Sequence, residues 1–186
     1  YDGYSGSFDT WENFGAWIAK LNEGKDVLPA KTNEEIAKLT AGMNDKRQKT
    51  KAVYEYMQNK TRYVSVQIGI GGFQPFDAET VDRLGYGDCK ALSNYTKALL
   101  KSAGIRSNYV LVGAGSNKSQ VVPEFPSNQF NHAILCVPME KDTVWLECTS
   151  QTVPFNFLGD FTSGRHVLII DDKKGTLART PDFSNG

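Results

Sequence analysis

The hydrophobic periodicity of the chain changes once, and this change limits the folds that the sequence can adopt. Up to about Asn59, apolar side chains recur at helical spacing in three stretches, which begin near Thr10, Thr32 and Asn44. Beyond this point the pattern is mostly that of β-strands, and these strands surround one further helix, 89–103. Helices followed by an antiparallel sheet, with one helix among its strands, predict an α+β fold.

The predicted strands are enriched in β-branched and aromatic residues, and turn-forming residues separate them. They cover residues 62–70, 108–113, 131–137, 143–149 and 166–171. A long loop rich in glycine, from Gly69 to Gly87, precedes the central helix. We therefore predict a single domain over 1–186, with an N-terminal helical segment (1–43) and a core (44–171).

Charge and hydropathy exclude two classes of partner. The 186 residues carry 21 basic and 21 acidic side chains, so the net charge gives no reason to expect binding to nucleic acid or to an anionic membrane surface. No apolar run approaches the ~20 residues that a membrane-spanning helix needs. The sequence indicates no metal site and no other cofactor, and it does not indicate an oligomeric state.

The chain has three cysteines, Cys89, Cys136 and Cys148, and an odd, low count is not a disulfide framework. None of their spacings fits a zinc site. Cys136 and Cys148 lie in apolar, strand-like runs, where cysteine is typically a small buried hydrophobic residue. The two could also face each other across a hairpin, so a disulfide between them stays open at this stage.

Cys89 has a different setting, because it follows Asp88, a favourable N-cap residue, at the start of the predicted central helix. Free backbone N–H groups and the helix dipole stabilise a thiolate at such a position and lower the pKa of a thiol. Gly85 and Gly87, just before it, allow backbone or substrate to approach closely. Position alone fits a nucleophile and a buried structural cysteine equally well.

A nucleophilic cysteine needs a base, and the chain offers two histidines, His132 and His166. His132 lies in the strand FNHAILCV and Glu147 in the strand VWLECT. In a hairpin centred at Met139–Glu140 these two side chains are directly opposed, with Cβ atoms roughly 5 Å apart. A carboxylate so placed holds an imidazole in one tautomer. His166 has no such neighbour, and we predict it on the surface or in a loop.

Taken singly, His132 would be interpreted as a core histidine and Glu147 as a charge on an edge strand. Their register, with a helix-start cysteine upstream, instead predicts a catalytic triad of Cys89, His132 and Glu147.

An oxyanion site would include the backbone N–H of Cys89, since the tetrahedral oxyanion forms beside the nucleophile. The second donor stays open among Gln67, Gln74 and a nearby backbone amide. Trp145 follows the alternation of its strand to the same side as Glu147. It either covers the catalytic pair or packs in the core.

These segments resemble those of transglutaminase-like proteins. The stretch GYGDCKALSNYTKALLKSAGI resembles the nucleophile segment of that family, FNHAILCV its histidine segment and VWLECTSQT its acid segment. The order of Cys, His and acid matches too, and the resemblance covers roughly Val53 to Thr152. A closer similarity is to bacterial proteins in which such a domain follows an N-terminal β-rich domain. The family usually has Asp where this chain has Glu147.

The resemblance implies a papain-like core and cysteine-dependent acyl transfer on amide bonds of a protein or peptide substrate, through a thioester. The thioester would end in hydrolysis, as in a cysteine protease, or in transfer to an amine, as in a transglutaminase. The resemblance also implies that the chain is a fragment of a longer protein with a periplasmic or cell-surface location. The alternatives are a non-catalytic binding module that keeps the fold and a structural spacer.

Overall fold

Six helices and seven strands form the part of the chain that the computed structural model describes, residues 6–65, 72–115 and 121–182. The helices are α1 Trp11–Asn22, α2 Ala30–Leu39, α3 Lys46–Lys60, α4 Ala78–Leu84, α5 Cys89–Ser102 and α6 Gly159–Thr162. The strands are β1 Arg62–Tyr63, β2 Tyr86–Gly87, β3 Asn108–Val112, β4 His132–Pro138, β5 Thr143–Leu146, β6 His166–Ile170 and β7 Gly175–Arg179. Within the described ranges, no helix is long and apolar enough to cross a membrane.

The larger sheet is antiparallel and has the strand order β5-β4-β3-β6-β7. Helices α1 and α5 pack on one of its faces, and the main core between these layers includes Phe14, Leu99 and Leu135. Alternate residues of the same strands form a smaller second core, which includes Ile134 and Trp145. This mixture of helices with an antiparallel sheet confirms the predicted α+β fold.

The residues at both ends of α5 explain where this helix begins and ends. The carboxylate of Asp88 accepts a hydrogen bond from the backbone N–H of Ala91 at 2.9 Å, which satisfies a donor in the first turn. Gly104 has φ +73°, the left-handed conformation that ends helices. The predicted helix that begins at Cys89 is therefore confirmed.

The start of α2 predicted from the sequence is about two residues too late. The helix begins at Ala30, directly after Pro29, and not at Thr32. The hydroxyl of Thr32 caps no helix end but donates to Asp82 Oδ1 at 2.9 Å. The same oxygen accepts from Lys60 Nζ and from the hydroxyl of Tyr95, both at 2.7 Å. One partly buried carboxylate thus ties α2, α3, α4 and α5 together.

The predicted loop from Gly69 to Gly87 is wrong over its second half, which contains α4 and β2. The helix α4 is short, buries only Ala78 and Val81, and ends at a glycine with φ +69°. Strand β2 then pairs in parallel with β1. Of the predicted strand 62–70, β1 is the part seen in the described residues, and 66–71 lie outside them.

The structure adds one strand that the sequence did not predict and decides one question that the sequence left open. Strand β7, which pairs with β6 at the sheet edge, was not predicted. Cys136 and Cys148 are free and lie in different cores, so they do not face each other across a hairpin. Burial raises the pKa of the Cys136 thiol to about 11 and that of Cys148 to about 12. Both cysteines therefore have the properties of inert buried residues.

Candidate active site

Cys89 is the first residue of α5 and is buried, with 7% of its surface exposed. The preceding strand β2 lies close against the first turn of the helix. A Cβ atom added to Gly87 would lie 2.8 Å from the Cβ of Ala91, so a side chain at this position would push the strand and helix apart. Glycine at position 87 therefore allows β2 to pack closely against the first turn of α5. This packing places the Cys89 thiol at the N-terminus of the helix.

His132 is the first residue of β4, and hydrogen bonds on both sides fix the start of this strand. The hydroxyl of Ser93, in α5, donates to the carbonyl of Ala133 at 3.1 Å and so joins the cysteine helix to the histidine strand. The side chain of Asn131 accepts from the N–H of Ala114 at 2.7 Å and donates to its carbonyl at 3.1 Å. These contacts hold the histidine strand against the first turns of α5.

Glu147 meets His132 directly. The Nε2 atom of His132 lies 3.1 Å from Oε1 and 2.9 Å from Oε2 of Glu147, and the two side chains are 9% and 7% exposed. The backbone N–H and the hydroxyl of Thr149 donate to Oε1 at 3.1 and 2.7 Å. Because Nε2 faces the carboxylate, Nδ1 is the ring nitrogen that remains for Cys89, which lines the same cavity as His132.

The hairpin register that predicted this contact is wrong by two residues. Strand β5 pairs Thr143 with Pro138, so the turn is centred one residue later than Met139–Glu140. A shift of two residues preserves the alternation of side chains along a strand. His132 and Glu147 therefore stay on the same side and meet along a diagonal instead of directly across the hairpin.

The electrostatics of this group favour an ionised imidazole. Burial lowers the pKa of His132, but its neighbours Cys89 and Glu147 outweigh burial and raise the pKa to about 9. Burial raises the pKa of Glu147, but His132 and Thr149 outweigh this effect, so the pKa of Glu147 lies below its ordinary value. At neutral pH the pair is thus an imidazolium held by a carboxylate.

Phe161 is a neighbour of this pair that the sequence did not indicate. Its ring stands edge-on to the imidazole of His132, with ring centroids 5.5 Å apart and an interplanar angle of 74°, and it is 48% exposed. It lies in α6, a helix of four residues without a periodic pattern. An aromatic ring at this place covers part of the imidazole from solvent, which strengthens the charge interaction beneath it.

Helix α3 fixes the chain segment around Glu147. The hydroxyl of Tyr54 donates to the carbonyl of Glu147 at 2.8 Å and to that of Val153 at 3.2 Å. The side chain amide of Gln58 donates to the carbonyls of Ser150 and Val153 at 2.8 and 2.9 Å. The sequence predicted Tyr54 only as an apolar position of the third helix, because a partner this far along the chain has no local signal.

We expect Tyr54→Phe to lower the free energy of unfolding by about 1–2 kcal/mol, because the buried carbonyl of Glu147 loses its donor. Urea denaturation of the variant and the wild type measures this difference. Tyr56→Phe is the matched control, since that hydroxyl donates to Glu35 and not to the segment around Glu147. A Tyr54→Phe protein as stable as the wild type would contradict the anchoring role.

A cavity of about 270 Å³ lies beside the thiol, and both Cys89 and His132 line it. Its walls combine apolar and polar side chains. The apolar residues include Ile18, Phe73, Leu111 and Phe130, and the polar ones include Lys90 and Asn128. Such a mixture can bind the apolar parts of an organic ligand and orient its polar groups.

Of the remaining candidates from the sequence, those that the structure describes lie elsewhere. Gln74 donates its side chain N–H to the carbonyl of Leu21 at 3.0 Å and does not line this cavity. Trp145 is buried in the second core, and Gln67 falls outside the described residues. His166 begins β6, where it pairs with Arg179. In the described part of the chain, no group of three or more His, Cys, Asp or Glu side chains could hold a metal ion.

A helix-start cysteine, a strand histidine and a carboxylate that holds the histidine, on a helix packed against an antiparallel sheet, define a protein with a papain-like core. The model of the transglutaminase-like superfamily matches residues 34–151, which is well over half of the chain. The chain therefore belongs to the transglutaminase-like superfamily.

Two solved structures share the fold. A candidate protease from Parabacteroides distasonis is 16% identical with a TM-score of 0.64, and the match covers 91% of this chain and 31% of that protein. A candidate cysteine protease from Cytophaga hutchinsonii is 13% identical with a TM-score of 0.50, and the match covers 87% and 58%. This chain thus spans less than two thirds of either. No curated protein matches the sequence.

Proposed function

We propose that the chain is a cysteine-dependent enzyme that cleaves amide bonds of a protein or peptide through a thioester intermediate. The observation that carries this proposal is the position of the His132 imidazole, which contacts Glu147 through Nε2 and lines the same cavity as Cys89. A nucleophile, a base and a group that orients the base are the parts that such a reaction requires. The cavity beside the thiol gives a substrate access to it.

In the resting site His132 already carries the proton of the Cys89 thiol, so the reaction begins from a thiolate–imidazolium pair. The thiolate attacks the amide carbonyl, and the backbone N–H of Cys89, at the open end of α5, is placed to stabilise the oxyanion. The tetrahedral intermediate collapses when the C–N bond breaks, and His132 gives its proton to the departing amine. Water then attacks the thioester while His132 takes a proton from it, and the acid leaves as the thiol is restored.

Glu147 has a supporting role in this scheme. Its carboxylate stabilises the imidazolium that forms each time His132 takes a proton, and the bond to Nε2 fixes the ring so that Nδ1 faces the thiol. Thr149 in turn holds the carboxylate through two hydrogen bonds. A Glu at this position thus makes the contact for which the family usually uses Asp.

We propose that the thioester is hydrolysed. The two structures of similar fold are candidate proteases, which supports hydrolysis. The alternative, transfer to an amine, gives a different product. Incubation of the enzyme with a peptide mixture and a fluorescent primary amine, followed by mass spectrometry, separates the two. We expect shortened peptides with new termini, and peptides carrying the amine would instead establish transfer.

We expect iodoacetamide to modify native Cys89 at about pH 6 at least about tenfold faster than the same cysteine in the urea-unfolded chain, because His132 stabilises the thiolate. Peptide mass mapping at several times measures the rate. Cys136 and Cys148 are internal controls, since burial raises the pKa of both thiols.

His132→Ala should remove this advantage of the folded protein. If native Cys89 reacts no faster than the unfolded chain, and His132→Ala has no effect, the protein is a binding module that keeps the fold without the reaction.

A further inference from the structure

The two residues that flank the nucleophile in the sequence, Asp88 and Lys90, form an ion pair. Lys90 Nζ lies 2.5 Å from Asp88 Oδ2, and the two side chains are only 11% and 9% exposed. The other oxygen of the carboxylate, Oδ1, caps the helix by accepting from Ala91. Lys90 also lines the cavity beside Cys89. The mechanism described above uses neither member of this pair.

Helix capping does not explain why these two residues are charged. Asn, Ser and Thr cap helices about as well as Asp and bring no charge. A buried ion pair is also weak support for stability, because the loss of hydration on burial offsets most of the attraction. The charge of Asp88 has a clear cost for the reaction, since a carboxylate beside a thiol opposes formation of the thiolate.

We propose that Lys90 is a positioning residue for the thiolate, which it assists by neutralising the carboxylate of Asp88 beside Cys89. The inference rests on the proposed function, because it concerns the ionised form of the nucleophile. With Lys90 in place, Asp88 keeps its capping bond and its negative charge is balanced. Without Lys90, an unbalanced carboxylate would lie on the residue next to Cys89.

The other titratable groups near the thiol do not replace Lys90 in this role. His132 lies in β4 and Tyr109 in β3. Glu147 and Cys148 lie in the segment that follows β5. Glu147 is balanced by the imidazolium of His132. Tyr109 and Cys148 stay neutral, because burial raises the pKa of both groups far above neutral pH.

Four proteins test this inference: the wild type, Lys90→Met, Asp88→Asn and the double variant. The quantity measured is the pH at the midpoint of Cys89 alkylation by iodoacetamide. Lys90→Met should raise the midpoint by about one unit, because the Asp88 charge becomes unbalanced. Asp88→Asn keeps the cap and should lower the midpoint. The double variant removes both charges and should return close to the wild type, which is the coupling that a charge balance requires.

Lys90→Arg should keep the wild-type midpoint, because the charge is retained. If Lys90→Met folds poorly, the double variant against Asp88→Asn supplies the same comparison without an unpaired carboxylate, and the double variant should have the higher midpoint. If the midpoints of the Lys90 and Asp88 variants do not change with the charge removed, while His132→Ala still shifts the midpoint, the role of Lys90 is wrong and the proposed function still stands. A wild-type midpoint like that of an unfolded thiol, unchanged by His132→Ala, would instead overturn the proposed function and this inference with it.

Discussion

The rate of amide cleavage should fall by about 10³-fold or more when Cys89 is replaced by alanine, because no other group can form the thioester. Substrate binding should change little, since the thiol forms only a small part of the cavity wall. Initial rates of peptide cleavage, followed by mass spectrometry at saturating and at low substrate concentration, separate the two effects. Hydroxylamine added to the wild-type reaction should also capture the acyl group, and Cys89→Ala should give no such product.

Cys136→Ala is the matched control for this prediction. It removes a thiol that is also buried but lies in the second core, away from the cavity. We expect this variant to lose some stability and to keep its cleavage rate. Equal cleavage by Cys89→Ala and the wild type would contradict the proposed function, because the reaction would then not pass through this thiol.

The parts of the site that the sequence predicted are those with local causes. Asp88 was recognised as a cap because capping involves a backbone N–H only three residues away. The strand that begins at His132 and the strand that precedes Glu147 were recognised from short-range side-chain patterns. Each of these features depends on neighbours in the sequence, so each could be inferred without knowledge of the fold.

The parts that the sequence did not predict depend on contacts between distant segments. The hairpin register is set by a turn from Met139 to Asp142, closed by a backbone hydrogen bond of 2.9 Å, and the residues of this turn include no glycine or asparagine that would fix its type. Phe161 and Tyr54 reach the site from elements that carry no motif. A lysine in a helix is usually exposed to solvent. The burial of Lys90 against Asp88 is therefore visible only in the structure.

Glu147→Gln should lower kcat/KM near neutral pH by about 10²- to 10⁴-fold, because an amide carries no charge to stabilise the imidazolium and can turn its NH2 group, a donor, toward Nε2. The pH dependence should change as well. The active form contains protonated His132, so wild-type activity should decline as pH rises through about 9, the raised pKa of this group. Without the carboxylate that pKa falls, and the decline should begin at lower pH. Rates measured from about pH 5 to about pH 10 show both effects.

Glu147→Asp is the matched control, because it keeps the negative charge while the side chain loses one methylene group. We expect the alkaline decline of this variant to stay near that of the wild type and its rate to fall by less than about tenfold, since the longer reach of Glu affects geometry more than charge. Thermal melting of both variants shows whether the fold is intact. A Gln variant with the wild-type pH profile would mean that Glu147 does not hold His132 in its charged form, and the histidine would then depend on Cys89 alone.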